Sequence, residues 1–353
     1  MGNKKIGVIT LPGRYNYGNR LQNYAVVKIY ERLGFQVESL ELEDHTILRA
    51  IKRTLLTIAG RRVKTNEELM SGDRLNAFNE FSSSCHIRTV GRKRGSWRKE
   101  FDCFSVGSDQ VWNPNFVNHR AGWYFLDFTH KAKRIALCPS IGVDELSPAQ
   151  SRKLATGVRG FPRVSVREER GAKLIQECSG KNAEVICDPT MVLPADEWRA
   201  AADNSFTPSS PYVFTYLLGG ANNEASEVLC EVTDHGAIPV IPLSDRQKPE
   251  ELDAGPAEFL SLIDNAVHVV TDSFHAAVFA SILQTPLTIV HREGGASMFS
   301  RLEQLSKTLG IEHKVFGSPN FDLSRAGDYR GVSEAIARER DKFMSYLRAC
   351  LNG

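Results

Sequence analysis

Parallel strands cannot be joined by tight turns, because each crossover needs about a dozen residues or more and usually takes the form of a helix. The sequence is organised around that requirement, with short β-branched apolar runs alternating with stretches of helical periodicity. Ile6 to Thr10 reads as a buried strand. A Gly- and Asn-rich turn follows, then an amphipathic helix from about Asn19 to Leu33, closed by Gly34 and leading into the strand Gln36 to Leu42. This is one complete βαβ unit. Further strands are expected at 101–106, 134–138, 163–166 and 184–187, with helices at about 147–158 and 168–177 between the later ones. The first domain is expected to span residues 1–188.

From Pro189 to Pro211 the composition shifts to Pro, Ser, Asp and Asn around one short helical piece, the signature of a linker. A second series then begins. Strands are expected at 212–217, 237–241, 267–271 and 287–290, with helices at about 224–234, 256–266 and 274–283. A second domain over 212–353 follows, ending in C-terminal helices. A chain of 353 residues accommodates two such domains. The expected fold class is α/β, with two Rossmann-like doubly wound domains in a GT-B-like arrangement and the active site in the interdomain cleft.

Composition narrows the partners. The formal net charge of +2 gives no global attraction to nucleic acid, so none is expected. Seven cysteines without a CxxC pair suit a reducing compartment. No apolar run approaches the ~20 residues of a membrane-spanning helix, and the N-terminus shows no apolar leader. The expected location is therefore cytoplasmic.

Four segments at strand ends carry chemistry. The first is Tyr15-Asn16-Tyr17-Gly18-Asn19-Arg20-Leu21-Gln22, where strand one meets helix one. Backbone N–H groups and the helix dipole there face any bound anion, although Gly18 and Asn16 forming a turn with Asn19 as helix cap would use the same residues. The second, Gly107-Ser108-Asp109-Gln110-Val111-Trp112-Asn113-Pro114, places polar groups at the carboxyl end of an apolar strand. They suit sugar hydroxyls, or equally an Asx turn above a packed Trp112. The third, Val164-Ser165-Val166-Arg167-Glu168, ends a strand on an Arg able to fork onto carboxylate or phosphate oxygens, or to pair with a neighbouring Glu. In the fourth, Thr271-Asp272-Ser273-Phe274-His275-Ala276, an imidazole stands in the first turn of a helix among polar residues.

The order and spacing of these blocks resemble the polysaccharide pyruvyl transferase family from about Ile6 to Val290. The blocks are residues 16–25, 107–114, Pro-Ser-Ile-Gly at 139–142, Ser-Val-Arg-Glu at 165–168, Asp-Pro-Thr at 188–190 and Thr-Asp-Ser-Phe-His at 271–275. The resemblance implies a GT-B-like fold and transfer of the pyruvyl unit of phosphoenolpyruvate onto two hydroxyls of a sugar as a cyclic ketal, with release of phosphate. The acceptor would be nucleotide-linked, lipid-linked or polymeric. Phosphoenolpyruvate would be a co-substrate, with no cofactor and no metal.

On this reading His275 is the general acid or base and Arg167 holds the donor's carboxylate or phosphate. Asn16, Gly18, Asn19, Arg20, Gln22, Ser108, Asp109, Gln110, Asp272, Ser273 and Arg292 are the substrate-binding candidates. Many members carry Arg where this chain has Ser273, and Gly where it has Ala276. Arg20, Arg292 or a backbone N–H nest would then take the place of that second cation. A glycosyltransferase using a nucleotide sugar is the first alternative. A non-catalytic sugar-binding or assembly protein is the second, favoured if His275 and Arg167 do not face a common cavity.

Two basic stretches, 45–64 and 88–99, are expected to form a margin of the acceptor site against an anionic membrane surface. The first carries an apolar stripe at helical spacing opposite Arg and Lys residues, and the second surrounds Trp97 with cations. A solvated face on an ordinary docked helix accounts for the same pattern.

Overall fold

The computed structural model describes residues 4–13, 15–43, 65–91, 95–117, 120–292 and 296–352. Its first half holds a parallel sheet of β1 (Lys5–Ile9), β2 (Gln36–Leu42), β3 (Ile87–Val90), β4 (Cys103–Val106) and β5 (Arg134–Ala136), in the order β3-β2-β1-β4-β5. A short parallel pair, β6 (Ser165–Val166) and β7 (Glu184–Val185), follows. It lies beside β5, where the Ser165 hydroxyl donates to the Ala136 carbonyl and accepts from Cys138 N. The second half holds β8 (Val213–Tyr216), β9 (Val240–Leu243), β10 (His268–Thr271) and β11 (Leu287–Ile289), all parallel, in the order β11-β10-β8-β9.

Ten helices position the site: α1 (Tyr17–Arg32), α2 (Gly72–Ser83), α3 (Pro148–Val158), α4 (Glu169–Ser179), α5 (Ala195–Ala200), α6 (Asn223–Val232), α7 (Pro256–Asp264), α8 (Phe274–Leu283), α9 (Ala296–Leu309) and α10 (Val332–Leu351). Each half winds outward from a central strand and then returns to that strand's other side. The reversal falls between β1 and β4 in the first half and between β8 and β10 in the second. Loops leaving the carboxyl ends of adjacent strands diverge at such switch points and open a crevice. The motif segments after β1, β4 and β10 occupy these positions.

One hydrophobic cluster spans both halves, beside a further cluster within each. Tyr17 at the start of α1 stacks on Phe259 of α7 at 4.5 Å, and its hydroxyl donates to the Ala254 carbonyl. Beside it the buried Arg74 of α2 pairs with buried Glu251 at 3.2 Å. The C-terminal helix α10 also returns to the first half, where the Tyr346 hydroxyl donates to the Ala136 carbonyl.

Several expectations are corrected. The linker expected at 189–211 is anchored in its first part, where Trp198 on α5 is fully buried, donates to the Thr190 carbonyl and meets Phe279 edge-on, while 202–211 holds no helix or strand. Strand β9 begins at Val240 because Asp234, His235 and Gly236 form a left-handed turn ahead of it. Trp97 does not meet a membrane surface. It is buried against Phe101, Phe104, Trp123 and Phe128, while Arg88 lies on β3 and pairs with Glu38 and Glu100. The stretch 45–64 and residues 92–94 lie outside the described residues.

Removing one partner of a buried ion pair leaves an uncompensated charge. Glu251→Ala is therefore expected to lower unfolding free energy by about 3–5 kcal/mol in urea titration. A loss near zero would show that the Arg74–Glu251 pair does not hold the halves together.

Candidate active site

A cleft of about 1480 Å³ opens between the carboxyl ends of the two sheets. Of the residues expected from sequence, Asn16, Gly18, Asn19, Asp109, Gln110, Asp272, Ser273, His275 and Arg292 line it. Arg20, Gln22, Ser108 and Arg167 do not.

Behind the cleft wall stands Asp188, a carboxylate with no exposed surface at its side chain. Its Oδ2 accepts from Arg167 Nη1 at 2.7 Å and from the Ser108 hydroxyl at 2.9 Å. Its Oδ1 accepts from Thr190 N and Oγ1. His275 Nε2 faces the same Oδ2 at 3.8 Å, an ion-pair distance, and has no hydrogen-bond partner. Burial opposes ionisation of Asp188, but His275 and the Arg167 guanidinium outweigh it and hold the carboxyl well below the usual carboxylate range.

His275 is placed by α8, whose residues 275–283 are all buried. The other side of its ring rests on α1: a Cβ on Gly18 would fall 2.0 Å from His275 Nδ1. Gly18 is thus required as empty space, so that the imidazole can lie against the helix backbone. With Nε2 turned to Asp188, Nδ1 is the nitrogen on the Gly18 side, and Gly18 lines the cleft.

The other candidates mostly position the site. Asn16, not Asn19, caps α1, accepting from Asn19 N at 2.9 Å, and its amide donates across the cleft to Asp245. Tyr216 also donates to Asp245, yet burial raises that carboxyl's pKa. Asp272 accepts from Leu218 N, Gly219 N and Arg292 Nε, so it is engaged in fixing the loop after β8 and the Arg292 side chain.

Three substrate-binding expectations are corrected to internal roles. Arg20 is buried on α1 beside Cys85, whose thiol burial pushes up to about 11 despite that guanidinium. Gln22 braces strand ends, donating to Thr10 and accepting from Ser108 N. Ser108 is turned inward to Asp188.

Arg167 is likewise one layer deep. It lies under Phe274, 4.6 Å from the ring centroid, and lines a small inner cavity of about 40 Å³. Glu168 does not pair with it as a surface partner; its Oε1 accepts from Ser140 Oγ, Ile141 N and Gly142 N, clamping the 139–142 block.

Sequence reasoning missed Arg301 on α9, which lines both the cleft and the inner cavity. Burial, then the nearby Arg167 charge, pushes its pKa down to about 10. Nothing in the ordinary amphipathic pattern of α9 sets this Arg apart from a surface one. Asp188 was visible in the Asp-Pro-Thr block but not assigned to the site. Among the described residues no three His, Cys, Asp or Glu side chains gather as metal ligands would.

The depressed Asp188 carboxyl contributes stability that is present above its unfolded value near pH 4 and is lost as pH falls toward its native value. Asp188→Asn is expected to cost about 3–5 kcal/mol at pH 7. The gap from wild type should narrow in urea titrations as pH drops from about 5 to 3. A gap independent of pH would contradict the assignment of an ionised Asp188.

No curated protein matches the chain. Among solved structures it is similar to UDP-GlcNAc 2-epimerase from Methanocaldococcus jannaschii, at 11% identity and TM-score 0.50, covering 99% of this chain and 100% of that one. Similarity to UDP-GlcNAc 2-epimerase from Neisseria meningitidis has 9% identity, TM-score 0.47 and coverage of 98% and 100%. For the glycosyltransferase SnogD from Streptomyces nogalater the values are 11%, 0.41, 99% and 98%. At 11% identity the likeness to the Methanocaldococcus jannaschii enzyme speaks for fold alone, two Rossmann-like halves of GT-B type. The family model described as polysaccharide pyruvyl transferase matches residues 16–290. That span runs from the cap of α1 to the end of β11 and takes in the Asp188–His275 pair with the loops around it, so the chain belongs to the polysaccharide pyruvyl transferase family.

Proposed function

We propose that this chain transfers the pyruvyl unit of phosphoenolpyruvate to two hydroxyls of a sugar acceptor in polysaccharide or glycoconjugate biosynthesis. The observation that carries the reading is His275, lining the cleft with a buried ionised carboxylate behind its Nε2. In the reaction a proton is delivered to the donor's methylene carbon, which becomes the methyl group. One acceptor hydroxyl adds to C2 and gives up its proton, and the second displaces phosphate, its proton leaving with the phosphate at balance. An imidazole can donate and recover a proton within one cycle. Asp188 keeps the ring turned with Nε2 inward.

The three-carbon donor fills little of a cleft of about 1480 Å³, which leaves room for a bulky acceptor. Asn19, Asp109 and Gln110 on the first half are the acceptor side. Ser273 and the start of α8 are the donor side, where the helix dipole favours anions. For a lipid-linked acceptor the proposal includes peripheral contact with the inner membrane face through 45–64, read by salt-sensitive co-sedimentation with anionic vesicles. A nucleotide-sugar glycosyltransferase would use the same helix start, so donor choice separates the two.

The test is incubation with phosphoenolpyruvate and candidate acceptors, with nucleotide sugars as the rival donor arm. Phosphate release together with an acceptor mass gain of pyruvic acid less water is expected. Glycosyl transfer without ketal formation would overturn the reading. His275→Ala should lower turnover by ~10²–10⁴-fold in a chain that keeps its native circular-dichroism spectrum, and a variant with wild-type rate would remove His275 from the chemistry.

A further inference from the structure

The loop after β9 is exposed at Arg246 and Lys248, yet the two residues before them are fixed from both halves of the molecule. Ser244 is fastened to the buried Arg74–Glu251 pair. Its carbonyl accepts from Arg74 Nη2, its N donates to Glu251 Oε2 at 3.0 Å, and its hydroxyl hydrogen-bonds Oε1 at 2.6 Å. Asp245 follows, its Oδ1 accepting from the Tyr216 hydroxyl at the end of β8 and its Oδ2 from the Asn16 amide at 2.7 Å. Arg74 and Asn16 come from the first half, Tyr216 and Glu251 from the second.

Such bracing holds a carboxylate in one orientation, and its acceptor capacity is only half used. An ionised carboxyl offers about four lone-pair positions, of which Tyr216 and Asn16 take one on each oxygen. Asp245 lines the cleft and keeps part of its surface exposed, so a ligand there can reach it. A fixed pair of acceptor oxygens is complementary to two neighbouring hydroxyl donors and repels an anion. We propose that Asp245 holds the acceptor sugar, its carboxylate accepting one hydrogen bond from each of the two hydroxyls that become the ketal.

Two further features support the assignment. Burial disfavours the charge of Asp245, and Tyr216, Asn16, Arg74 and Arg292 offset that only in part, so its pKa stays raised. Hydroxyl donors from a ligand favour the ionised form and would relieve this. The second feature is place. Asn16 stands two residues before Gly18, against which His275 rests, and three before Asn19 on the acceptor side. A sugar held by Asp245 therefore lies at the start of α1, beside the imidazole.

The assignment rests on the sugar acceptor proposed above, but its test needs no turnover. The probes are methyl glycopyranosides of glucose, galactose and mannose with their monodeoxy derivatives, titrated against the full chain by saturation-transfer NMR. Wild type is expected to bind at least one parent glycoside, and to bind it roughly 10- to 100-fold more tightly than the derivative lacking a recognised hydroxyl. Asp245→Asn, and Asp245→Ser as a second variant, should keep the native circular-dichroism spectrum and bind parent and deoxy sugar nearly alike. Asn16→Ser retains a cap for α1 but loses the bond to Asp245, and should keep most of the preference. Equal loss in Asn16→Ser and Asp245→Asn would make Asp245 a tie between the halves and overturn the proposal. So would a wild type that binds none of the glycosides or does not discriminate, or a preference that survives in both Asp245 variants. If the preference behaves as expected while wild type forms no ketal from phosphoenolpyruvate, the sugar site stands and the proposed reaction falls.

Discussion

The arrangement depends on one buried carboxylate. Removing an anion from water costs several kcal/mol even after relaxation, so Asp188 is tolerated only because its neighbours compensate it. Arg167 supplies countercharge, Ser108 and Thr190 supply hydrogen bonds, and His275 faces it at ion-pair distance. Each neighbour comes from a different segment: the end of β4, the end of β6, the turn after Asp188 and the start of α8. The need to satisfy one charge therefore draws four separated stretches of sequence to one point. It also fixes which side of the imidazole is turned inward.

The fold supplies the rest of that geometry. Both sheets reverse direction beside their central strand, so the loops that diverge there face one another across the cleft. The shared core around Tyr17 and Phe259, the Arg74–Glu251 pair and the return of α10 join the halves. Gly18 on α1 then meets His275 on α8 across the join. The site is incomplete in either half alone, because the ring comes from one and the surface that seats it from the other.

Much of this was legible in sequence where local rules decide. Gln36–Leu42 and Phe274–Leu283 have the expected bounds, because Gly34 closes the helix before the first and a largely apolar run fills the second. The start of α1 was displaced because Asn16 and Asn19 are both good caps, and only tertiary contact with Asp245 separates them. Strand β3 and Trp97 were hidden by surrounding basic residues, of which Arg88 pairs with Glu38 and Glu100 while the ring turns inward. Side-chain direction was the main thing out of reach. Arg20, Gln22, Ser108 and Arg167 sit in the expected motifs but point away from the cleft, and Arg301 lies in no motif at all.

In the proposed reaction Asp188 acts through His275, as one unit, on proton transfer. Residues that work as a unit are strongly non-additive when removed together. The most direct measurement is a double-mutant cycle on the rate of ketal formation with Asp188→Asn, His275→Ala and the pair. Asp188→Asn is expected to slow ketal formation when His275 is present and to add little further loss once it is gone. Losses that multiply across the cycle would mean that the two residues contribute independently, and would contradict it.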